Sequence, residues 1–373
     1  MPNQFLTAQE IARQALPILR ENLVFPLLAY RDYEDTFASF GDTIQVKKPP
    51  VYEAREFDGA IIAQDIQEDK VLVSLDKIAD VSVEVGSKEM TLNIESFTDQ
   101  VIQPAAVAIA EKINQDGFAL YRDIPYLVGT AGTTPAELAD FAAVRKALNI
   151  QKAPLGQRSA VWDPEADAKF NLIPAIVNAE KSGSSDALRE GSIGRIQGLD
   201  NYMSQAVAHH EKGTLAASGG SIVLAAALDG TAPTERIVLV PTGVNTLSGT
   251  LVKGDILVIN AKHYTVQAST QADDDAIEVA VYPAIASPVD TDDAVTILGS
   301  HRANLAFHKN AFAFVSRPLE LARGVESYVT EFEGLTLRVT FSYDAMTKKQ
   351  MISIDTLYGY HTLYPELALR VLG

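Results

Sequence analysis

Histidines are the residues of this chain whose side chains best suit acid–base or metal chemistry near neutral pH. The 373 residues contain six of them: His209, His210, His263, His301, His308 and His361. No two stand four residues apart on a helix around a glutamate, which is the spacing that a zinc protease requires. The segment HHEKG, from His209 to Gly213, resembles that motif only superficially, and we interpret it as a polar helix end rather than a metal site.

The serine- and glycine-rich stretches also lack the spacing that catalysis or phosphate binding needs. No serine lies in a G-x-S-x-G turn, so no hydrolase nucleophile is indicated. Gly191–Gly198, GSIGRIQG, lacks the G-x-G-x-x-G pattern of a dinucleotide site. The aspartates within 273–275 and 290–293 lack the glycine and distal glutamate of a calcium loop, and we interpret them as solvated turns. The sequence therefore predicts no catalytic residue, no cofactor and no metal site, and we do not expect an enzyme.

Composition and charge narrow the possible partners. Lysine plus arginine number 31 and aspartate plus glutamate 48, so the net charge is −17. This balance argues against a surface that grips phosphate backbones, although plain solubility would also explain it. The absence of cysteine excludes disulfides and thiolate nucleophiles. No apolar run reaches the roughly 18 residues of a membrane span, and the start is amphipathic, so we expect a soluble, intracellular protein without a membrane partner.

A long helix is predicted from Ser96 to Tyr121. Its apolar residues step by three or four and form a stripe that should face the core: Ile102, Ala106, Ile109, Ile113, Gly117 and Leu120. The polar residues Gln100, Glu111, Asn114 and Gln115 fall on the far side. Ser96 and Asp99 have the spacing of a capping box, and Pro104, off the stripe, should bend the helix rather than end it. We expect this helix to be the spine around which the other segments are arranged.

Two segments before the spine are predicted to be arms. The pattern of residues 7–22 predicts a short amphipathic helix, and the apolar stretch that follows is interrupted by Pro26. From residue 40 to 93, alternating apolar residues predict strands on either side of a charged segment, Tyr52–Lys70. This pattern is typical of an extended two-stranded arm that rests on a partner surface. A hairpin folded back on its own domain fits equally well.

After the spine the pattern is mixed and then all-β. Thr134 and Pro135 have the residue types of a helix cap and first helical residue, and SAVWDPEADAKF predicts a strand with a buried Trp162 followed by a helix. Residues 214–299 contain short strands between turns, with a tight reversal near Asn260–Lys262, and suggest an inserted barrel or sandwich. Long antiparallel strands are expected toward the C-terminus. The predicted fold class is therefore α+β.

In this order of segments the chain resembles the major capsid proteins of tailed bacteriophages. Three stretches are closer still to the coat protein of short-tailed phages that infect Salmonella: LTAQEIARQALPILRENLVFPLLAYRDYEDTFASFGDTIQVKKP, NLAFHKNAFAFVSRPLE and QMISIDTLYGYHTLYPELALRVL. The insertion is placed like the extra β-barrel domain of that branch.

The resemblance implies the tailed-phage major capsid fold with an inserted all-β, barrel-like domain. Its expected parts are an N-terminal arm (1–39), an extended β loop (40–93), a peripheral domain with the spine helix (94–133), the first part of an axial domain (134–213), the inserted domain (214–299), the second axial part (300–340) and C-terminal strands completing the peripheral and axial core (341–373). The extended loop would contact a neighbouring subunit through residues such as Lys47, Lys48, Glu53, Arg55, Glu56, Asp65, Glu68 and Asp69. The arm carboxylates of Glu10 and Glu21 are candidates to meet a basic scaffold helix.

The resemblance also implies a structural function. Proteins of this kind build an icosahedral head from pentamers and hexamers, first as a procapsid that expands as double-stranded DNA is packaged. The implied partners are further copies of the chain, a separate scaffolding protein and a portal protein, with DNA enclosed without sequence-specific binding. A decoration protein is a candidate partner that the sequence leaves open. The expected location is the virion capsid, assembled in the host bacterial cytoplasm. The alternatives are a nanocompartment shell that encloses cargo enzymes, and an enzyme with a β accessory domain, for which no acid–base constellation is present.

Overall fold

The computed structural model describes residues 8–31, 43–47, 70–86, 101–178, 180, 186–273, 276–332, 334–344 and 349–373. The chain divides into two compact units. The first comprises Met1–Asn114 and Phe312–Leu363, and the second comprises Gln115–Ala311 and Tyr364–Gly373. Helices and strands are mixed in both units, as the α+β prediction requires. No helix in the described ranges is long and apolar enough to cross a membrane.

The α-helices of the described residues are Ala8–Asn22, Phe25–Leu28, Gln103–Phe118, Leu138–Ile150, Pro164–Phe170, Pro174–Val177 and Asp186–Glu190. We call Ala8–Asn22 the arm helix and Gln103–Phe118 the spine helix. A π-helical turn at 101–102 precedes the spine helix, and a 3₁₀ turn, Ala119–Asp123, follows it. Pro104 is the second residue of the α-helical part, a position where a missing N–H is well tolerated. The predicted cap at Ser96 and Asp99 lies outside the described residues.

The first unit contains a five-stranded antiparallel sheet. Its strands are Lys77–Gly86, Phe312–Arg317, Glu326–Phe332, Leu335–Asp344 and Lys349–Thr362, and the last of these pairs with three of the others. Two of these strands bear on the expected domain bounds, which stay a prediction. Lys77–Gly86, within the segment expected to be the extended loop, pairs with Lys349–Thr362, and its alternating valines suit a sheet strand. The predicted boundary between 340 and 341 falls inside the strand Leu335–Asp344.

A separate two-stranded pair lies within the predicted extended loop. Thr43–Lys47 pairs antiparallel with Lys70–Ser74, from Thr43 opposite Ser74 to Lys47 opposite Lys70. The predicted flanking strands are therefore present and paired. Residues 48–69, which would join them, lie outside the described residues.

The second unit contains a seven-stranded mixed sheet. Its strands are Leu127–Val128, Arg158–Trp162, Arg195–Ile196, Leu199–Met203, His209–His210, His301–His308 and Ala368–Leu372. Trp162, Phe141 and Phe170 form a buried aromatic cluster against it, so the predicted core role of Trp162 is confirmed. The predicted helix cap at Thr134 is wrong. The helix Leu138–Ile150 begins three residues later, with a reciprocal cap between Glu137 and Asp140.

The second unit also contains a six-stranded barrel, which we define as residues 214–299. The strands are, in sheet order, Ile222–Leu224, Thr234–Pro241, Ile277–Ile285, Lys262–Val266, Ile256–Ile259 and Thr296–Ile297. The ends of the sheet meet where Val295 N donates to Ile222 O at 2.7 Å, which closes the barrel. Two short pairs flank it, Ala216–Ala217 with Leu247–Ser248 and Thr250–Leu251 with Thr270–Gln271.

The predicted tight reversal in the barrel is confirmed. Ile256–Ile259 and Lys262–Val266 pair antiparallel across a two-residue turn, Asn260–Ala261, whose φ angles are 49° and 61°. Two successive positive φ angles match the right-handed twist of the flanking strands. The inserted region therefore has the barrel form that its strand pattern predicted.

Candidate assembly surfaces and the barrel junction

The arm helix packs its apolar side on the five-stranded sheet of its own unit. The buried residues are Ala8, Ile11, Ala12, Ala15, Leu16 and Leu19. At the helix start, Ala8 N donates to Glu326 Oε1 at 3.1 Å. The candidate scaffold contacts Glu10 and Glu21 are exposed. The arm is thus anchored on its own chain and presents carboxylates outward.

Asn114 of the spine helix joins the arm to the spine. Its Oδ1 accepts hydrogen bonds from Val24 N at 3.0 Å and Phe25 N at 3.2 Å, and its Nδ2 donates to Asn22 O at 2.9 Å. The expectation that Asn114 lies on the polar side of the helix is wrong, because it is 4% exposed. The side chain bonds the backbone groups that the arm leaves unpaired where the arm helix ends.

Aromatic packing strengthens the same connection. Phe25 is fully buried, with ring centroids 5.3 Å from Phe312 and 5.7 Å from Tyr360. Tyr360 Oη also donates to Ile113 O of the spine helix at 3.0 Å. Gly359 is required in this strand, since a Cβ there would clash with the carbonyl oxygen of Ser74.

The predicted core face of the spine helix occupies two different environments. Ile102, Ala106, Ile109 and Ile113 are each at most 1% exposed. Leu120 is half-buried and lies in the 3₁₀ turn beyond the α-helix. The stripe is therefore continuous over the α-helical part and weakens at its end.

Of the predicted contacts in the extended loop, the structure describes only the backbone of Lys47. It ends the strand Thr43–Lys47, opposite Lys70. The other predicted contacts, which are Lys48, Glu53, Arg55, Glu56, Asp65, Glu68 and Asp69, lie outside the described residues. Their role in contacting a neighbouring copy stays a prediction.

Separate pairs of polar side chains are hydrogen-bonded on the five-stranded sheet. Arg338 grips Asp355 with two hydrogen bonds, Nε to Oδ1 at 2.9 Å and Nη2 to Oδ2 at 2.5 Å. Hydrogen bonding to Asp355 is the largest cause that raises the pKa of Arg338. Ser353 Oγ donates to Asp80 Oδ1 at 2.7 Å, and Lys349 forms an exposed ion pair elsewhere on the sheet. This two-pronged arginine–carboxylate geometry fixes both side chains.

A buried chain of polar side chains joins the barrel to the seven-stranded sheet, and we call it the junction. Tyr121 Oη lies 2.9 Å from His210 Nδ1, and His210 Nε2 lies 2.9 Å from Asp255 Oδ1. The carboxylate of Asp255 also accepts from Gly213 N at 3.1 Å and from Val252 N at 2.7 Å. Asp255 is 0% and His210 2% exposed, so these bonds form away from water. The neutral tautomer in which Nε2–H donates to Asp255 and Tyr121 donates to Nδ1 satisfies every group.

Arg370, in the last strand, is the second part of the junction. It is fully buried and donates from Nε to Tyr121 O at 2.8 Å, from Nη1 to Gly254 O at 2.9 Å and from Nη2 to Thr265 Oγ1 at 3.1 Å. Its guanidinium also lies 5.0 Å from the centroid of the Tyr121 ring. Burial lowers the pKa of Arg370 to about 9, which leaves it charged at neutral pH. One side chain thus binds the barrel and the turn after the spine helix together.

His301 completes the junction. Its ring centroid lies 5.2 Å from that of His210, and its Nδ1 lies 2.9 Å from Gly299 O. Its Nε2 is buried and has no hydrogen-bond partner among the described residues. Burial is the main cause that lowers the pKa of His301 to about 4. His209 and His210 were expected at a polar helix end. They instead form a short strand, because their backbone pairs antiparallel with that of His301 and Arg302.

Most polar atoms of the junction are buried and hydrogen-bonded within it, and His301 Nε2 is the exception. Within the described ranges, no group of three or more His, Cys, Asp or Glu residues could hold a metal ion. A separate open groove of about 520 Å³ lies in the second unit, with Tyr126, Ile150, His263 and Pro283 among its lining residues. None of these four pairs a nucleophile with a base.

Sequence reasoning missed the junction and Asn114. A signal for Arg370 was present, since it is the single charge in the apolar strand ALRVL. A cation inside such a strand must find acceptors, because a buried unpaired charge is very costly. Asn114 gave no such signal, because its polar neighbours in sequence are equally typical of the exposed side of a helix.

The chain is similar to known phage proteins along most of its length. The family model described as "P22 coat protein - gene protein 5" matches residues 247–373. The Major capsid protein of Acyrthosiphon pisum secondary endosymbiont phage 1 is 22% identical over 385 residues, covering 89% of this chain and 89% of that protein. A solved chain from Mycobacterium phage Che8 superposes with a TM-score of 0.52 and 16% identity, covering 94% of this chain and 90% of that chain.

The chain has the fold of a phage major capsid protein. A chain in the capsid structure of the Cyanophage P-SCSP1u is also similar, with a TM-score of 0.47, 13% identity, and coverage of 94% of this chain and 88% of that chain. The predicted fold class, a capsid fold with an inserted all-β barrel, is confirmed. Within the capsid fold, the family match spans the second half of the barrel and all residues after it.

Proposed function

We propose that this chain is the major capsid protein of a tailed double-stranded DNA bacteriophage and that it self-assembles into the icosahedral head. The observation that carries the proposal is the capsid fold over 94% of the chain, together with the coat-protein family match in residues 247–373. The role is structural and non-catalytic. The nanocompartment alternative is less well supported, because the family model and the curated relative both describe phage coat proteins.

The mechanism under this proposal is mechanical. Each subunit occupies a pentamer or hexamer and meets several copies of itself, so that many weak contacts sum to a strong shell. The charge of −17 suits a shell whose lining does not trap the entering DNA. Procapsid expansion would then use two packings of the same interfaces. The chain would be found in the virion after assembly in the bacterial cytoplasm, and the finer resemblance suggests a short-tailed phage of Salmonella.

The domain assignment is part of the proposal. The five-stranded sheet and spine helix would form the peripheral domain, and the seven-stranded sheet would form the axial domain around the capsomer centre. The barrel would be the inserted domain. Residues 40–76 would form the extended loop that overlaps a neighbouring copy, with Lys77–Gly86 assigned to the peripheral sheet instead.

The proposed partners are a separate scaffolding protein, a portal protein and a decoration protein. For scaffold binding, the exposed carboxylates of Glu10 and Glu21 on the anchored arm offer charge to a basic helix. Replacing each with alanine should lower scaffold incorporation, most strongly at low salt, because exposed charge pairs are screened. Incorporation unchanged at every salt concentration would remove these two residues from the interface.

Co-expression tests the proposed function. The chain should sediment as large closed particles when expressed with the scaffolding gene, and as monomers or irregular assemblies without it. Particles from infected cells should contain DNA and a portal, whereas a nanocompartment would contain a cargo enzyme. A chain that remains a soluble monomer under all conditions would overturn the proposal.

A further inference from the structure

We propose that the junction is a proton-sensitive latch, which holds the barrel against the seven-stranded sheet near neutral pH and releases it in acid. This inference goes beyond the proposed function, since it concerns one chain and holds whether or not the chain forms shells. It rests on where the junction lies, on the separate cores of the two parts, and on a buried histidine nitrogen without a partner.

Both chain crossings into the barrel are tied to the junction. At the entry, Gly213 N donates to both carboxylate oxygens of Asp255 at 3.1 Å. At the exit, Lys212 N donates to Ser300 Oγ at 3.1 Å, and His301 begins the strand that follows. The barrel is therefore attached by two adjacent crossings, and the junction lies beside both of them.

The two parts that the junction joins have separate apolar cores. The barrel core is formed by side chains of residues 215–297 alone, including Leu239, Leu257 and Val279. The core of the seven-stranded sheet is formed around Phe141 and Trp162 and shares no residue with it. Because neither core depends on the other, opening the junction need not unfold the barrel or the sheet.

The charged groups around the two buried histidines carry a net positive charge before either histidine takes up an extra proton. Each element packed there contributes titratable or charged groups, namely Tyr121, Arg122 and Asp123 of the 3₁₀ turn, His209 of the short strand, Lys253 and Asp255 of the barrel, Arg302 beside His301, and Arg370 of the last strand. Asp123 pairs with Lys253 at 2.9 Å. Asp255 offsets the charge of Arg370, so Arg122 and Arg302 make the sum of these groups positive.

A proton on His301 adds to this positive charge. With Nδ1–H donating to Gly299 O, the added proton must go to Nε2, which has no acceptor among the described residues. It would place a second cation beside Arg370 in a site closed to water, where an unpaired charge is costly. In the open state the same nitrogen reaches water and takes the proton freely.

The sign of the effect follows from linkage. The pKa of His301 is about 4 when the junction is closed, against 6.5 for an exposed histidine, so the closed state binds fewer protons between these values. Closure is fully favoured above pH 6.5 and weakens as the pH falls toward 4. The equilibrium constant for opening the junction should therefore be about 30-fold larger at pH 5 than at pH 8.

Hydrogen exchange of the full-length chain tests the latch. Between pH 8 and pH 5, after correction for intrinsic exchange, the opening constant of the Gly213 and Val252 amides should rise about 30-fold. The barrel strand Ile277–Ile285 should stay protected. His301→Gln should remove most of this pH response, and the matched control His361→Gln, in the other unit, should keep it.

Three results would overturn the latch. The first is an opening constant that does not change between pH 8 and pH 5. The second is equal hydrogen exchange of the Gly213 and Val252 amides and of the strand Ile277–Ile285, which would indicate global unfolding. The third is a full pH response in His301→Gln. If that variant does not fold, the wild-type His301 titration by NMR decides, and a midpoint near 6.5 would contradict the proposal.

Discussion

Replacing Asn114 with alanine tests whether the arm is bound to the spine helix through one side chain. The change leaves Val24 N and Phe25 N without their acceptor and Asn22 O without its donor. Phe25 is fully buried, and a buried donor left unpaired costs about 1–3 kcal/mol. We therefore expect a loss of about 2–4 kcal/mol in the free energy of unfolding, since the second donor is only part-buried.

Urea unfolding of the monomer, combined with hydrogen exchange, measures this loss. The midpoint should fall, and the Val24 and Phe25 amides should lose protection before the rest of the chain. Asn149→Ala is the matched control, because Asn149 is an exposed asparagine on the helix Leu138–Ile150, and it should change stability by less than about 0.5 kcal/mol. An Asn114→Ala variant with control-like stability and protected arm amides would refute the reasoning.

Two further substitutions test the five-stranded sheet. Arg338→Lys should lower the free energy of unfolding in urea by about 1–2 kcal/mol, because a lysine cannot form both hydrogen bonds to Asp355. The control Arg236→Lys, in an exposed ion pair, should lower it by less than about 0.5 kcal/mol. Equal losses in the two variants would contradict this prediction. Gly359→Ala should lower the free energy of unfolding by about 1–3 kcal/mol, because the new Cβ would clash with the backbone carbonyl of Ser74. The control Gly156→Ala, which has open space around it, should not change stability. A Gly359→Ala variant of unchanged stability would show that the strand of Gly359 can move away from Ser74.

Periodicity alone predicted the elements whose apolar pattern is long and regular. The spine helix and the Asn260–Ala261 hairpin both follow from local spacing. The sequence predicted a barrel or sandwich, because short strands between turns are typical of these two folds. It could not predict the closure of the barrel through Ile222 and Val295, since that contact joins residues far apart in sequence.

Pairing between distant strands and competition between possible helix caps could not be predicted from the local pattern. Lys77–Gly86 has the alternation of a strand, but nothing local shows that its partner is Lys349–Thr362 rather than the other strand of a loop. The helix begins at Leu138 because Glu137 and Asp140 cap it reciprocally. The local pattern did not show that this pair, rather than Thr134, would supply the cap.

The junction shows why polar sites are harder to foresee than apolar cores. Tyr121, His210, Asp255 and Arg370 are far apart in sequence, and only Arg370, inside an apolar strand, gave a local sign of burial. Only the fold brings them together, and their value lies in satisfying one another where water is absent. The family resemblance supplied the architecture and the function class, but not this network.

Cryo-electron microscopy of particles made by this chain together with the proposed scaffolding protein tests the central claim most directly. The account predicts closed shells of icosahedral symmetry, built from pentamers and hexamers, in which each subunit has the fold described and the segment 48–69 touches a neighbouring copy. Uniform monomers or small oligomers, or a shell in which that segment contacts only its own subunit, would contradict it.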